Sequence, residues 1–254
     1  MRKIRKNNSG QVLLLAALAI AFIISSVMVY IYQANQNISS DRFSTLNGFI
    51  RNIKLESRNL VVGSLANISQ GGSNETLNNN LQRWESFVES NYFLGECSFS
   101  FDLCEEYPYS SGLRIFWGTN GFGVSSAEVD YSLNLTDEIG EAAVRYSVNI
   151  TTHIVISATS QALLTLQQIN VTIHVFNEDS PSLCENLTVY YKDKEGNWND
   201  AGLLDSYVLK DYGNGTYIAK FAVGPPRVWN REIRVECFDQ REILVKATTT
   251  CEDI

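Results

Sequence analysis

The chain has 254 residues, of which 44% are apolar and 19% charged, and its formal net charge is −8. This composition is typical of a folded protein and excludes a disordered tail, which would be poorer in apolar residues and richer in charge. Setting aside four basic residues near the start leaves 16 Lys and Arg against 28 Asp and Glu, a balance of −12. That acidic balance argues against nucleic acid and anionic membrane surfaces as partners.

A basic segment and a long apolar run open the chain. Arg2, Lys3, Arg5 and Lys6 precede residues 12–32, an apolar run that two serines interrupt. At about 1.5 Å per residue, a helix of this length crosses the roughly 30 Å hydrocarbon core of a bilayer. Because Lys and Arg are retained on the cytoplasmic side, the rest of the chain is expected outside the cell. The sequence therefore predicts a single-pass protein of the cell membrane with a cytoplasmic N-terminus.

The apolar run is longer than the core of a secretory signal, and no small-x-small cleavage site follows it. Tyr30 and Tyr32 stand where such small residues would be needed, and they suit the outer membrane interface as aromatic anchors. The run's length and the adjoining basic cluster also disfavour a buried helix of a soluble protein. Membrane anchoring is the prediction.

Residues 6–11 (KNNSGQ) join the basic leader to the apolar run. A short basic leader, a small residue and then Gln at the head of a long apolar segment resemble an archaeal class III signal peptide. In that family a prepilin peptidase cuts before the Gln, and the new N-terminus stays in the membrane as the core helix of a type IV pilin-like subunit. The resemblance implies cleavage between Gly10 and Gln11 and implies other pilin-like subunits as partners. Leu15 stands where many pilins carry Glu, which favours a minor pilin or pseudopilin-like subunit, with an uncleaved signal anchor as the alternative.

After the membrane run, apolar residues recur at helical spacing: Phe43, Leu46, Ile50, Ile53 and Leu60. This pattern predicts that residues 11–65 form a transmembrane and amphipathic helix, after a leader at residues 1–10. Residues 66–80 are polar and predict a loop. Leu81, Trp84 and Val88 indicate a short helix that opens a helix-plus-β region over residues 81–162.

From about Glu96 the pattern alternates between apolar and polar residues, as in strands. It predicts strands over residues 96–102, 112–117, 123–135, 143–158 and 162–176, and a further sandwich of about seven strands over residues 163–254. Residues 211–221 (DYGNGTYIAKF) resemble the D-x-G-x-G-x-Y-x-A-x-F strand of exported immunoglobulin-like modules, a resemblance that implies architecture and no particular activity. The predicted fold class is α+β: a long N-terminal transmembrane and amphipathic helix, then a mainly β ectodomain with a C-terminal immunoglobulin-like sandwich.

The exterior carries eight Asn-x-Ser/Thr sequons, at Asn37, Asn67, Asn74, Asn134, Asn149, Asn170, Asn186 and Asn214. Several fall at polar positions of alternating strands, and one lies in a Gly-Asn-Gly turn, so a surface glycan would be tolerated. The pattern predicts a glycosylated cell-surface protein; the alternative is a set of Asn/Thr-rich strands without sugar.

Five cysteines suit an oxidising exterior. Cys97 and Cys104 flank a six-residue loop and are the preferred disulfide pair. Cys184, Cys237 and Cys251 lie in the predicted sandwich, and one of them is left over. No C-x2-C or C-x2-H spacing indicates a metal site, and no metal or cofactor is expected.

The residues that could carry chemistry are sparse. The two histidines, His153 and His174, fall on polar faces of predicted strands, where surface positions are expected. The carboxylate pairs Glu105-Glu106 and Glu178-Asp179 are adjacent in sequence, whereas glycosidases need carboxyls that face each other across several Å. Aromatic residues near Phe116-Trp117 could stack on a sugar or contact a neighbour, with core packing as the default.

These patterns predict a non-enzymatic, membrane-anchored extracellular structural or interaction protein, namely a minor pilin or pseudopilin-like surface subunit. Its expected partners are the membrane, other pilin-like subunits, and surface proteins or glycans. The alternative is a single-pass, signal-anchored adhesin or receptor-like binding module that prepilin peptidase does not process.

Overall fold

A computed structural model describes residues 25–29, 45–92, 95–137, 140–163, 166–224 and 230–253. The chain divides into two compact units, Met1–Lys54 and Leu55–Ile254. In the first unit residues 25–29 and 45–54 are helical. The second unit holds every strand that the described residues form, and the features discussed below all belong to it.

Two helical segments open the second unit: α1 (residues 55–69) and α2 (Thr76–Asn91). α1 buries Val61, Leu65 and Ile68, while α2 buries Leu77, Leu81 and Val88, as helical periodicity requires. Gly71, with a φ of 102°, stops α1, because this left-handed backbone conformation is one that glycine adopts without steric cost.

A buried hydroxyl fixes α1 against both α2 and the strands. The Ser57 side chain is fully buried. Its Oγ accepts a hydrogen bond from Trp84 Nε1 at 2.9 Å and lies 2.9 Å from the hydroxyl of Tyr146. The Tyr146 ring stacks on Tyr131, which in turn stacks on Phe99, at centroid distances of 5.0 and 5.6 Å. The helices therefore cover one end of the sheet through a shared aromatic and polar layer.

Thirteen strands make up the rest of the described second unit. They are β1 (Gly95–Leu103), β2 (Leu113–Trp117), β3 (Phe122–Asp137), β4 (Glu141–Leu163), β5 (Leu166–Asn177), β6 (Ser180–Pro181), β7 (Cys184–Lys192), β8 (Trp198–Asp200), β9 (Val208–Asp211), β10 (Thr216–Val223), β11 (Glu232–Asp239), β12 (Leu244–Thr250) and β13 (Glu252–Asp253). The larger sheet runs β1-β3-β4-β5-β10-β9, with β2 also on β3, β6 on β5 and β13 on β4. The smaller sheet runs β12-β11-β7-β8.

The two sheets enclose a sandwich-like core. Buried apolar side chains from both sheets form this core. The larger sheet supplies Ile154, Val171 and Tyr217, and the smaller sheet supplies Val189, Val235 and Val245. Within each of these strands, the residues that alternate with the core residues point outward. This is the period-two alternation seen in the sequence. At Gly123 the backbones of the two sheets meet, since a Cβ there would lie 1.9 Å from the carbonyl oxygen of Lys246. Only glycine permits this approach.

β4 is the longest strand, at 23 residues. It pairs antiparallel with β3 from Glu141 to Val155 and with β5 from Thr152 to Leu163. No Gly or Pro occurs between residues 141 and 177, and β-branched residues are frequent there, which favours extended backbone. The predicted long strand pair over residues 143–176 is confirmed, and the predicted strands over residues 96–135 overlap β1, β2 and β3.

The predicted α+β fold class, with a long N-terminal transmembrane and amphipathic helix, is wrong: the described chain is mainly β, with two largely antiparallel sheets and short helical segments. Of the predicted helix over residues 11–65, only residues 25–29 and 45–65 are described. Nowhere in the described ranges does a helix combine the length and apolarity that a membrane crossing needs. The physical reason for the β class is that extended, β-branched sequence outweighs the short stretches with helical periodicity.

The two sheets extend beyond residues 163–254, the range over which an immunoglobulin-like sandwich is predicted. β3 and β4, which precede that range, belong to the larger of the two sheets. The cause is the length of β4, which extends the sheet beyond the C-terminal strands. A β-sandwich-like arrangement of two sheets is what the described residues show.

A buried carboxylate closes the hairpin between β11 and β12. Asp239 is fully buried. Its Oδ1 accepts hydrogen bonds from the backbone nitrogens of Arg241 and Ile243, both at 2.9 Å. Its Oδ2 accepts from Thr152 Oγ1 and Arg241 Nε, both at 2.8 Å. Because Thr152 belongs to β4, this one side chain joins the smaller sheet to the centre of the larger one.

Replacing Asp239 with Ala should lower the free energy of unfolding by about 3 kcal/mol, because it leaves two backbone N–H groups and the Thr152 hydroxyl without their acceptor and removes one of the two carboxylates that pair with the partly buried Arg241. Denaturant unfolding followed by circular dichroism measures the loss. Asp205→Ala, at an exposed carboxylate, is the control and should change little. Equal stabilities of the two variants would contradict a structural role for Asp239.

Candidate interaction surface and modification sites

An aromatic patch lies on the face of the larger sheet that points away from the smaller sheet. We define it as Phe116, Phe122, His153, Val155 and Phe176. The strand register places Phe116, His153 and Phe176 in one row across β2, β3, β4 and β5, and Phe122 opposite Val155 in the next row. Phe116 is 52% exposed and Val155 41% exposed. The patch therefore presents apolar surface to a partner.

His153 lies within this patch. Its ring stacks on Phe176 at a centroid distance of 4.8 Å and lies 5.9 Å from Phe122. Burial lowers the pKa of His153 below its usual value, an effect that Asp179 opposes and Arg114 reinforces. The sequence predicted a surface histidine, whereas only 16% of this side chain is exposed. The sequence predicts which face of the strand His153 occupies, because apolar and polar residues alternate around it. It does not predict the two phenyl rings that flank the histidine, because they come from other strands.

The other histidine, His174, has a simpler setting. It is partly buried, and its Nδ1 lies 3.2 Å from Thr216 Oγ1 on the neighbouring strand β10. No carboxylate is among the partners found for this ring within the described residues. The two histidines are on different rows of the same face and do not form a joint site.

The edge strand β2 adjoins the aromatic patch. Among the described strands it pairs with β3 alone. Three successive large side chains, Ile115, Phe116 and Trp117, are 37%, 52% and 39% exposed. The Trp117 ring is held in place because its Nε1 donates to Ser125 Oγ at 3.2 Å and Lys246 Nζ lies 5.1 Å from its centre. An apolar edge strand with one free side is a surface on which another chain can pair.

A polar network borders the aromatic patch. The hydroxyls of Tyr109 and Thr151 lie 2.9 and 2.6 Å from Ser126 Oγ. Thr151 Oγ1 donates to Asn149 Oδ1 at 2.9 Å, and Asn149 Nδ2 donates to Glu128 at 3.2 Å. The network joins hydroxyls, one amide and one carboxylate, and within the described chain it holds no histidine that could act as a base. Its effect is to order the side chains around the Asn149 sequon.

The predicted carboxylate pairs do not converge on a common point. Glu105 and Glu106 are exposed, and Glu105 Oε1 accepts a hydrogen bond from Ser111 N at 3.1 Å. Glu178 instead forms an ion pair with Arg241 at 2.6 Å. Over the part of the chain that the structure describes, no group of three His, Cys, Asp or Glu side chains is arranged to hold a metal ion.

A disulfide joins Cys184 in β7 to Cys237 in β11, with Cα atoms 6.2 Å apart. The preferred pair from the sequence, Cys97 and Cys104, is not brought together, and both side chains are free thiols. Seven steps of extended backbone, at about 3.3 Å each, place their Cα atoms about 23 Å apart, far beyond disulfide reach. The adjacency of β7 and β11, which no spacing in the sequence reveals, decides the pairing.

The third free thiol, Cys251, is buried. Burial raises the pKa of this thiol to about 12, against the opposing effect of Arg231. The thiol is therefore neutral at physiological pH and is a poor nucleophile.

The sequons differ in accessibility. Six asparagines are exposed: Asn67, Asn74, Asn134, Asn149, Asn186 and Asn214. Asn170 is partly buried, and its Oδ1 is shielded from solvent without a hydrogen-bond partner among the described residues. Asn37 and the cleavage junction Gly10–Gln11 lie outside the described residues.

No protein-family model matches the chain, and no curated protein matches it significantly. The function must therefore be argued from its own residues: the N-terminal sequence, the exposed sequons and the aromatic patch.

Glycans are expected at the six exposed asparagines and absent at Asn170, because a bulky sugar on a half-buried side chain would have to displace strand neighbours. Peptide mass spectrometry of the protein from its native host measures occupancy at each site. A glycan at Asn170 together with bare exposed sites would contradict this assignment.

Acidification should destabilise the protein through His153. Because burial lowers its folded-state pKa, the unfolded chain binds the proton more readily, so stability present above about pH 6.5 is lost as the pH falls further. His153→Phe keeps an aromatic ring and should reduce this loss, as measured by denaturant unfolding at pH 7.5 and 5.5. His174→Asn is the matched control and should retain the wild-type response. An unchanged pH dependence in His153→Phe would refute the assignment.

Proposed function

We propose that the protein is a membrane-anchored extracellular structural or interaction protein, a minor pilin or pseudopilin-like surface subunit. The observation that carries the proposal is the N-terminal sequence, in which four basic residues and the Gly10-Gln11 junction precede the apolar run 12–32. The leader supplies a cytoplasmic charge anchor, and the apolar run supplies the membrane attachment.

Features of the second unit support an extracellular location. A disulfide between Cys184 and Cys237 suits an oxidising compartment. Six exposed sequons are available for surface glycans, and the chain beyond the leader is strongly acidic. These features are compatible with a head displayed outside the cell, where solubility and protection from proteases matter.

The proposed role is non-catalytic. Glu178 and Asp239 are engaged by Arg241, while Glu105 and Glu106 face solvent. The proposed partners are other pilin-like subunits, or surface proteins and glycans, which would contact the head through exposed apolar surface.

A signal-anchored adhesin or receptor-like module is the second candidate. The aromatic patch and the edge strand β2 favour it, because a minor subunit confined to an assembly does not require exposed Phe116 and Trp117 side chains. In this case the leader is retained and the β unit acts as a binding module.

Processing at the N-terminus separates the two candidates. Mass spectrometry of the protein purified from membranes of its host should give a mature chain that starts at Gln11. Gly10→Leu places a bulky side chain at the junction and should leave the leader attached, whereas the control Ser9→Ala should be processed normally. Wild-type protein that still carries Arg2–Lys6 would overturn the pilin-like proposal and support the anchored binding module.

A further inference from the structure

A polar cluster with three buried members lies where the β4–β5 hairpin meets β13. It consists of Ser160 on β4, Gln167 on β5, Arg231 immediately before β11, and Asp253 on β13. Ser160 and Gln167 are each 2% exposed and Arg231 is 3% exposed. Four separate segments thus bring an alcohol, a carboxamide and a guanidinium that water barely reaches into a chain of hydrogen bonds with the exposed carboxylate of Asp253.

The contacts within the cluster have a definite order. Ser160 Oγ donates to Asp253 Oδ1 at 2.5 Å. Gln167 Nε2 donates to Ser160 Oγ at 3.2 Å. The carbonyl oxygen of the same amide, Oε1, accepts from Arg231 Nε at 3.1 Å. The hydroxyl is therefore held by a base on one side and by an amide on the other, and a cation polarises the amide.

These are the parts that acyl transfer needs: a nucleophile with an adjacent base, an electrophilic carbonyl carbon, and a donor for the developing oxyanion. We propose that Ser160 and Gln167 form an intramolecular ester cross-link, with Asp253 as the base and Arg231 as the oxyanion donor. The cross-link does not depend on the pilin-like role proposed above.

The reaction balances without any co-reactant. Ser160 Oγ gives its proton to Asp253 and bonds to Gln167 Cδ, while the C=O electron pair moves to Oε1 and faces the Arg231 guanidinium. The C=O bond then re-forms, the Cδ–Nε2 bond breaks, and Nε2 takes the proton from Asp253 and leaves as ammonia. The product is a Ser160–Gln167 ester, and dilution of ammonia into solvent drives the exchange.

The hydrogen bond between the amide and the hydroxyl places the reacting groups side by side. Because Cδ is one bond, about 1.3 Å, from Nε2, it lies within about 4.5 Å of Ser160 Oγ, which Nε2 contacts at 3.2 Å. A rotation about the Cγ–Cδ bond leaves Cδ in place and turns one face of the carbonyl group toward the hydroxyl, and a small shift of the Gln167 side chain then brings Cδ and Oγ within reacting distance. When reacting atoms are held about 3–3.5 Å apart in one molecule, the activation free energy is much lower than for the same groups free in solution.

The supporting contacts hold each group in place. Arg231 Nη1 donates to the Lys192 carbonyl at 2.8 Å, and Cys251 N donates to the Arg231 carbonyl at 2.9 Å. Asp253 lies opposite Ser160 in the parallel pairing of β13 with β4. Gln167 on β5 lies opposite Ala162 on β4, so it shares a sheet face with Ser160. These contacts hold the hydroxyl, the amide, the guanidinium and the carboxylate in one arrangement, which favours the acyl transfer proposed here.

Intact mass spectrometry tests the cross-link. The full chain, produced without glycans and fully reduced, should be lighter than its sequence by about 17 Da, one ammonia. Ser160→Ala should have the full sequence mass, and Asp253→Asn should lose ammonia slowly or not at all. The control Ser157→Ala alters an exposed serine of the same strand and should keep the wild-type deficit.

Peptide mapping distinguishes the ester from ammonia loss at Asn214-Gly215. No Lys or Arg occurs between Arg145 and Lys192, so one tryptic peptide contains both Ser160 and Gln167. A cross-linked peptide gives no backbone fragments between these two residues, because a single cleavage leaves the ring closed. Hydroxylamine should open the wild-type ester and leave a hydroxamate on Gln167, a readout that needs no variant to fold.

A wild-type chain of full sequence mass overturns the proposal, as does a deficit that persists in Ser160→Ala or maps to another peptide. If Ser160→Ala is merely less stable and the wild type shows no deficit, the cluster is a hydrogen-bonded support for the buried Arg231 and no cross-link forms.

Discussion

The uninterrupted pairing of β4 with β3 and β5 is the constraint on which the second unit depends. The first half of β4 carries Tyr146, which helps to seat α1 through Ser57. Its second half supplies Ile154 and Ile156 to the core shared with the smaller sheet. A break in this strand would separate the layer under the helices from the sandwich core, because Tyr146 belongs to the first and Ile154 and Ile156 belong to the second.

The smaller sheet is joined to this scaffold by polar contacts as well as by apolar packing. Asp239 joins β11 to Thr152 on β4, and Ser69 at the end of α1 accepts a hydrogen bond from Leu244 N on β12 at 3.0 Å. Each of these groups is buried and satisfied, so each favours one arrangement of the layers over alternatives with similar apolar burial. Exposed apolar side chains lie elsewhere, among them Phe116 on β2 and Val155 on β4.

The strands could be predicted from sequence because alternation and the absence of Gly and Pro over residues 141–177 are local signals. Which strands become neighbours could not. The Cys184–Cys237 bond follows from the adjacency of β7 and β11, and the enclosure of His153 follows from phenyl rings on β3 and β5. The predicted α+β class is wrong because the described chain consists mainly of extended, β-branched sequence, and its helical stripe accounts for only short segments. The cluster of Ser160, Gln167, Arg231 and Asp253 joins residues nearly a hundred positions apart, and no spacing in the chain reveals it.

The length of β4 has a mechanical consequence. A pull along its axis loads the hydrogen bonds to β3 and β5 in shear, so many of them must fail together before the strand can slide. A pull at right angles would open the same ladders one bond at a time. Attachments at the two ends of β4 would stress the ladders in the first way, so the resistance to such a pull grows with the number of residues that this one strand pairs without interruption.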